Sequence, residues 1–335
     1  MRALVFTGPG VAEVRDVPEP QAGPGQVLVE VERVGVCGTD VELFTGAMSY
    51  LHTGVASYPL RPGHEWAGTV LAAGPGVDAG WVGRRVTGDT MIGCGECGRC
   101  RAGRHHVCPR RHELGCRDGL PGALAERLAF PAAYLYELPD AVDATLGALV
   151  EPGGNALRAV RAAAVAPGER LLVIGTGTIG LLAAMFGRAR GAEVHLLGEQ
   201  PTTLSEAPVW TRATLPELAW DGVIDATNGA GIPKLAVDLV EPGGTVVYIG
   251  LAGAPSLVDT REIVLKDVTT VGLLGASAGL GGAITAYAEK DADPRTLVAA
   301  TVSLAEIVDV LAGKRPEGAG PGPKFHVDPR RDQGR

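Results

Sequence analysis

Apolar positions in the first 150 residues come in short alternating runs. LVFTG (4–8), QVLVEVERVGVC (26–37), WAGTVLAAG (66–74) and RRVTG (84–88) are rich in Val and Leu, the pattern of half-buried strands. GPG (8–10), QAGPGQ (21–26) and AGPGVDAG (73–80) separate them as turns. Strands so spaced predict a small barrel-like β domain.

Near Glu151 the period changes. NALRAVRAAAV (155–165) has helical spacing; RLLVIG (170–175), LLAAMFGRARG (181–191) and AEVHLLG (192–198) read as strand, helix, strand. DGVIDAT, IPKLAVDLV and TVVYIG repeat the alternation between 221 and 250, which predicts a parallel, doubly wound sheet. Residues 296–313 read as strand then helix, PGPKFHVDP (321–329) as a final strand, and 313–323 as a mobile loop. Only 21 residues separate Glu199 from Asp221. That is too short for a full helix and strand, so a short strand at 209–213 and a brief helix at 215–219 are expected there.

The uncharged runs 171–187 and 268–288 are broken by glycines and polar residues and predict no membrane span. The N-terminal MRALVFTGPG has no signal-like apolar segment. A cytoplasmic location is therefore expected. The net charge of −8 disfavours nucleic acid, which needs a basic face. The arginines near residue 100 read as a solvated surface.

Chemistry enters with Cys94, Cys97, Cys100 and Cys108, spaced C-x2-C-x2-C-x7-C. Intervals of two favour one shared zinc over two disulfides. Four thiolates leave no open position, so this zinc is structural. Gly175-Thr176-Gly177-Thr178-Ile179-Gly180 matches G-x-G-x-x-G between a strand and a helix, the context of a dinucleotide turn. Glu199 follows Gly180 by 19 residues, where an acid meets the adenosine ribose hydroxyls and disfavours a 2′-phosphate. NAD is expected over NADP. A third constellation, GVCGTD (35–40) and RPGHEW (61–66), sets a soft thiolate, Cys37, beside an imidazole, His64, and the acid Glu65.

Together with LVEPGGN, GTGTIG, EPGGTVVYIG and PKFHVDP, these segments resemble the zinc-dependent medium-chain dehydrogenases/reductases, of the polyol, sugar and threonine dehydrogenase branch. They cover nearly the whole chain in family order. The resemblance implies an α/β chain: a GroES-like β-barrel catalytic domain (1–152, with its zinc lobe at 93–109), split around a Rossmann domain (153–274), with 275–335 returning to the first. It implies a catalytic zinc on Cys37 and His64, with Glu65 and Glu151 as further ligands, and Thr39 as the hydroxyl that relays the substrate proton. His52 could extend the relay. Gly175, Gly177, Thr178, Ile179, Gly180, Glu199, Thr227, Gly250 and Leu251 would line the cofactor. Cys116 matches no ligand position and reads as a buried thiol. Gly153-Gly154 depart from the family after VEP, at the expected floor of the pocket.

The implied reaction is reversible oxidation of a secondary alcohol to a ketone by NAD, in a homodimer or homotetramer. GHEWAGTV and GRRVTGD look most like aminocyclitol dehydrogenases of the 2-deoxy-scyllo-inosamine type. The segments 44–58 and 273–282 would shape the pocket. Threonine, a simple secondary alcohol or a non-catalytic NAD-binding role are alternatives. A zinc-free reductase of the superfamily would lack the cysteine lobe.

Overall fold

The computed structural model describes residues 1–200 and 202–331. By internal contacts the chain forms two units, Met1–Glu151 with Pro294–Arg335, and Pro152–Asp293. The last four residues and Pro201 lie outside the described ones.

In the first unit the alternating runs become strands. β1 (Arg2–Gly8) and β2 (Val11–Asp16) form a hairpin, and β3 (Gln26–Gly35) runs into helices α1 (Gly38–Thr45) and α2 (Ser49–His52). β4 (Glu65–Ala73) and β5 (Arg85–Gly88) follow. The cysteine lobe holds β6 (Met91–Ile92), α3 (Gly98–Arg101) and β7 (His112–Glu113); then come β8 (Arg127–Pro131), β9 (Leu135–Glu137) and α4 (Ala144–Ala148). Val27, Val29 and Val31 of β3 are fully buried while Leu28, Glu30 and Glu32 are only partly so. That is the period of two read from sequence. They join Trp66, Leu128 and Phe130 in one core, where Trp66 meets Phe130 edge-on at 5.1 Å.

The second unit is the alternating region. After α5 (Val150–Ala163) come β10 (Arg170–Ile174), α6 (Thr178–Ala189), β11 (Glu193–Leu197), β12 (Val209–Trp210), β13 (Trp220–Asp225), α7 (Ile232–Leu239), β14 (Val240–Tyr248), α8 (Thr260–Leu265), β15 (Thr269–Gly272) and α9 (Leu280–Glu289). The sheet order is β12-β11-β10-β13-β14-β15, all parallel. The shortened stretch keeps a two-residue strand, β12, but no helix at 215–219. Leu215 and Leu218 instead pack on the sheet core from an irregular stretch, in which the Leu218 amide donates to the Pro216 carbonyl at 3.0 Å.

Gly153-Gly154 have a packing reason. A Cβ on Gly153 would stand 2.1 Å from Tyr287 Oη, and one on Gly154 would stand 3.1 Å from the Ala276 carbonyl oxygen. The two glycines let α5 and the start of α9 approach closely. With Leu280, Ala283, Ile284 and Tyr287 of α9 buried, residues 275–293 stay with the second unit, and the return begins at Pro294 rather than at 275.

The returning segment adds β16 (Val298–Val302), α10 (Ile307–Leu311) and β17 (Lys324–Val327) to the first unit. Its sheet runs β16-β17-β3-β4-β5-β9, with β8 also on β3. Residues 313–323 form no regular element, yet Arg315 donates to the Gly322 carbonyl (2.9 Å) and covers the Phe325 ring. Among the described residues no helix is long and apolar enough to cross a membrane.

Candidate active site

Two sheet registers assemble the candidate centre. His326 of β17 faces Gly35 of β3, and Gly35 faces Glu65 of β4. Cys37 follows β3 as the N-cap of α1, and His64 immediately precedes β4. The donor atoms of Cys37, His64 and Glu65 lie within 4.8 Å of one another. His64 and Glu65 are buried; Cys37 is half-buried and lines a cleft of about 340 Å³ with Val41, Lys314 and Phe325.

Asp40 ties the centre together. Its carboxylate accepts the Cys37 amide at 2.9 Å and the Gly63 amide at 3.2 Å, and it is fully buried. Burial pushes its pKa up, against the pull of His64. Burial lowers the pKa of His64, but the neighbouring Cys116, Asp40 and Cys37 outweigh it and push it up. The centre therefore favours positive charge. A thiolate, an imidazole and a carboxylate in such a field are a fitting donor set for Zn²⁺.

Two expected ligands differ from Cys37 and His64 in their surroundings. Both Glu65 carboxylate oxygens accept from Lys324 Nζ, at 2.8 and 2.7 Å, and the same ammonium reaches the Val36 carbonyl at 2.9 Å. Glu65 thus stands among the donors already paired. Glu151 is buried in the first turn of α5 and completes no such donor group among the described residues. Thr39 occupies the first turn of α1, half-buried. His52 ends α2, exposed.

In the lobe, the four sulfurs lie within 4.8 Å of one another, with Cys94–Cys100 at 3.9 Å and Cys97–Cys108 at 3.7 Å. A tetrahedron with Zn–S arms of about 2.3 Å has edges of about 3.8 Å, so the cage suits zinc. The Glu96 amide holds the Cys94 pKa down to about 6, and the Cys100 amide lowers that of Cys97. His105 to Asp89 (2.7 Å) and Tyr134 to the Gly93 carbonyl (2.9 Å) brace the lobe. The lobe's arginines Arg99, Arg101, Arg104 and Arg110 are exposed, as read from sequence; Arg99 donates to the Val107 carbonyl (2.7 Å), and Arg110 pairs with Glu96.

In the second unit, Gly175 to Gly180 link β10 to α6 as read. Gly175 has φ +114°, and a Cβ on Gly180 would stand 1.9 Å from the Gly175 carbonyl oxygen. Only glycine fits either position. A Cβ on Gly177, the N-cap of α6, would meet nothing within 4 Å, leaving the open helix end that a pyrophosphate uses. Glu199 lies exposed just beyond β11. Thr227 donates through its amide (3.0 Å) and hydroxyl (2.8 Å) to buried Asp225, whose pKa burial raises. Gly250 lies so near that a Cβ would stand 1.6 Å from the Thr227 carbonyl oxygen. Leu251 is 77% exposed.

Residues 23–140 match the alcohol dehydrogenase GroES-like domain. The chain is 31% identical over 293 residues to an L-threonine 3-dehydrogenase of Sinorhizobium medicae (strain WSM419), covering 82% of this chain and 84% of that one. It belongs to the zinc-dependent medium-chain dehydrogenase family. Among solved structures it is similar to the alcohol dehydrogenase TADH from Thermus sp. ATN1 (26% identity, TM-score 0.87, 98% of this chain and 99% of that one). It is also similar to a protein of Sinorhizobium meliloti 1021 assigned as a zinc-binding dehydrogenase and bound to NADP (28%, TM-score 0.88, 98% and 99%). As a zinc alcohol dehydrogenase of this family, the chain carries three side chains at its centre to which sequence reading assigned no role. Lys324 clamps Glu65, and Asp40 orders the Cys37 and Gly63 amides. Cys116, buried as expected, has its sulfur 3.5 Å from His64 Nδ1. Lys324 sits in the recognised PKFHVDP segment, but nothing local names its partner 259 residues away.

Proposed function

We propose that this medium-chain dehydrogenase oxidises a secondary alcohol of a polyol, sugar or cyclitol with NAD⁺, and reduces the ketone in reverse. The observation that carries this reading is the donor group of half-buried Cys37 with buried His64 and Glu65, next to the first turn of α1. Cys37 and His64 would hold a zinc ion. When bound, zinc supplies a Lewis acid that lowers the pKa of a substrate hydroxyl. Thr39, two residues after Cys37, would carry the hydroxyl proton outward, and a nicotinamide, when bound, would supply the hydride acceptor for the carbinol carbon. Lys324 holds Glu65 against Gly35, while Asp40 fixes the Cys37 backbone. The G-x-G-x-x-G turn would take the pyrophosphate and Glu199 the adenosine ribose, which favours NAD over NADP. The exposed Leu257, Val264 and Leu265 and the free edge of β15 support a homodimer or homotetramer.

The test is NADH formation by zinc-loaded protein on polyols, sugars, aminocyclitols and L-threonine, compared with Cys37→Ser. The variant should lose turnover and keep NAD affinity. Loss of NAD affinity instead, or turnover unaffected by the substitution, would contradict these roles. Turnover on L-threonine alone would move the substrate to that of the S. medicae relative.

A further inference from the structure

A zinc-bound imidazole is neutral and carries its one proton on the ring nitrogen away from the metal, and that N–H needs an acceptor. His64 is 5% exposed, so water is a poor candidate. Its Nδ1 faces two side chains. Asp40 Oδ1 is 3.8 Å away, beyond hydrogen-bond reach, and the Asp40 oxygens already take the Cys37 and Gly63 amides. Cys116 Sγ is nearer, at 3.5 Å, a distance normal for a sulfur acceptor. Cys116 is itself only 6% exposed and is pinned in the turn after β7 by its amide, which donates to the Glu113 carbonyl at 3.0 Å.

We infer that Cys116 is a positioning residue: its sulfur accepts the His64 Nδ1–H, fixes the imidazole tautomer and ring plane, and turns Nε2 toward the metal held by Cys37 and His64. The inference rests on reading that group as the catalytic metal site. A thiol accepts more weakly than a carboxylate. With Cys116 rather than Asp40 as its partner, His64 is a weaker donor and leaves more positive charge on the metal.

The test measures metal binding, not turnover. Wild type, Cys116→Ser, Cys116→Ala and Cys116→Val are titrated with zinc against a competing chelator. The spectrum of Co²⁺ exchanged into the catalytic site is then recorded. The lobe zinc on Cys94, Cys97, Cys100 and Cys108 serves as internal control. The inference expects Ala and Val to weaken the catalytic site about 10- to 100-fold and to shift its Co²⁺ bands. The lobe zinc should stay, and Ser, which keeps an acceptor, should remain close to wild type. Unchanged affinity and bands in Ala and Val would overturn it. So would Ser falling as far as Val, or loss of both metals together, since either would mean that Cys116 only fills space. A wild-type chain that binds the lobe zinc alone would instead overturn the reading of the Cys37 group itself.

Discussion

His326 makes acid stability a test of the core beneath the site. It is fully buried on β17, and neither ring nitrogen has a hydrogen-bond partner among the described residues. Lys324, two positions away on the same face of the strand, and Arg33 both disfavour a second positive charge. Burial first, then those two cations, hold its pKa well below the ordinary histidine value. The native protein therefore keeps His326 neutral where the unfolded chain protonates it. Below an unfolded pKa of about 6.5 the unfolded state binds the extra proton, so stability is lost as pH falls, by about 1.4 kcal/mol per unit. His326→Leu removes that proton and two unmatched nitrogens, whose burial costs about 1–3 kcal/mol at any pH. The variant should already melt higher at neutral pH. Between about pH 7.5 and 5.5 its advantage should widen by about 1.4 kcal/mol, or about 3–6 °C for a domain of this size. Melting curves of both proteins across that range check it. Metal ligands also titrate in acid, but they do so in both proteins and cancel in the difference. A gap that stays constant or narrows on acidification would refute the argument.

Three further outcomes are expected. Gly35→Ala should destabilise the protein by about 3–5 kcal/mol, because its Cβ would stand 2.1 Å from Glu65 Oε2 and break a buried ion pair; an unchanged melting temperature would mean that the pair can shift freely. Cys100→Ser should release one zinc per chain and lower the melting temperature, since a structural zinc contributes folding energy directly; metal analysis finding full zinc content would count against a four-thiolate cage. Glu199→Arg should shift the ratio of kcat/KM for NAD over NADP toward NADP by about tenfold or more, ~1.4 kcal/mol; an unmoved ratio would separate Glu199 from the ribose.

What could be read from the chain divides by distance along it. The cysteine lobe and the glycine turn were legible because their geometry is local: three cysteines with two residues between each must share a turn, and a glycine turn between a strand and a helix has few other uses. The alternating β and βα patterns were legible because burial on one face imposes its period on the sequence. The helix expected at 215–219 failed because Leu215 and Leu218, which suit a helix face, equally suit an irregular segment laid on the sheet core. The boundary expected at 275 failed for a different reason. The buried face of α9 is apolar wherever it packs; contacts far apart in sequence, among them Tyr287 and Ala276 against Gly153 and Gly154 and Tyr287 stacked on Phe186, assign it to the second unit. The centre itself depends on pairings 52 and 259 residues apart, Cys116 with His64 and Lys324 with Glu65. No local pattern encodes these; the β17-β3-β4 register creates the second, and the bare Cα of Gly35 leaves the space across which Glu65 reaches Lys324. The residues that carry the chemistry were thus recognisable by type, whereas those that orient them became visible only once the strands were in register.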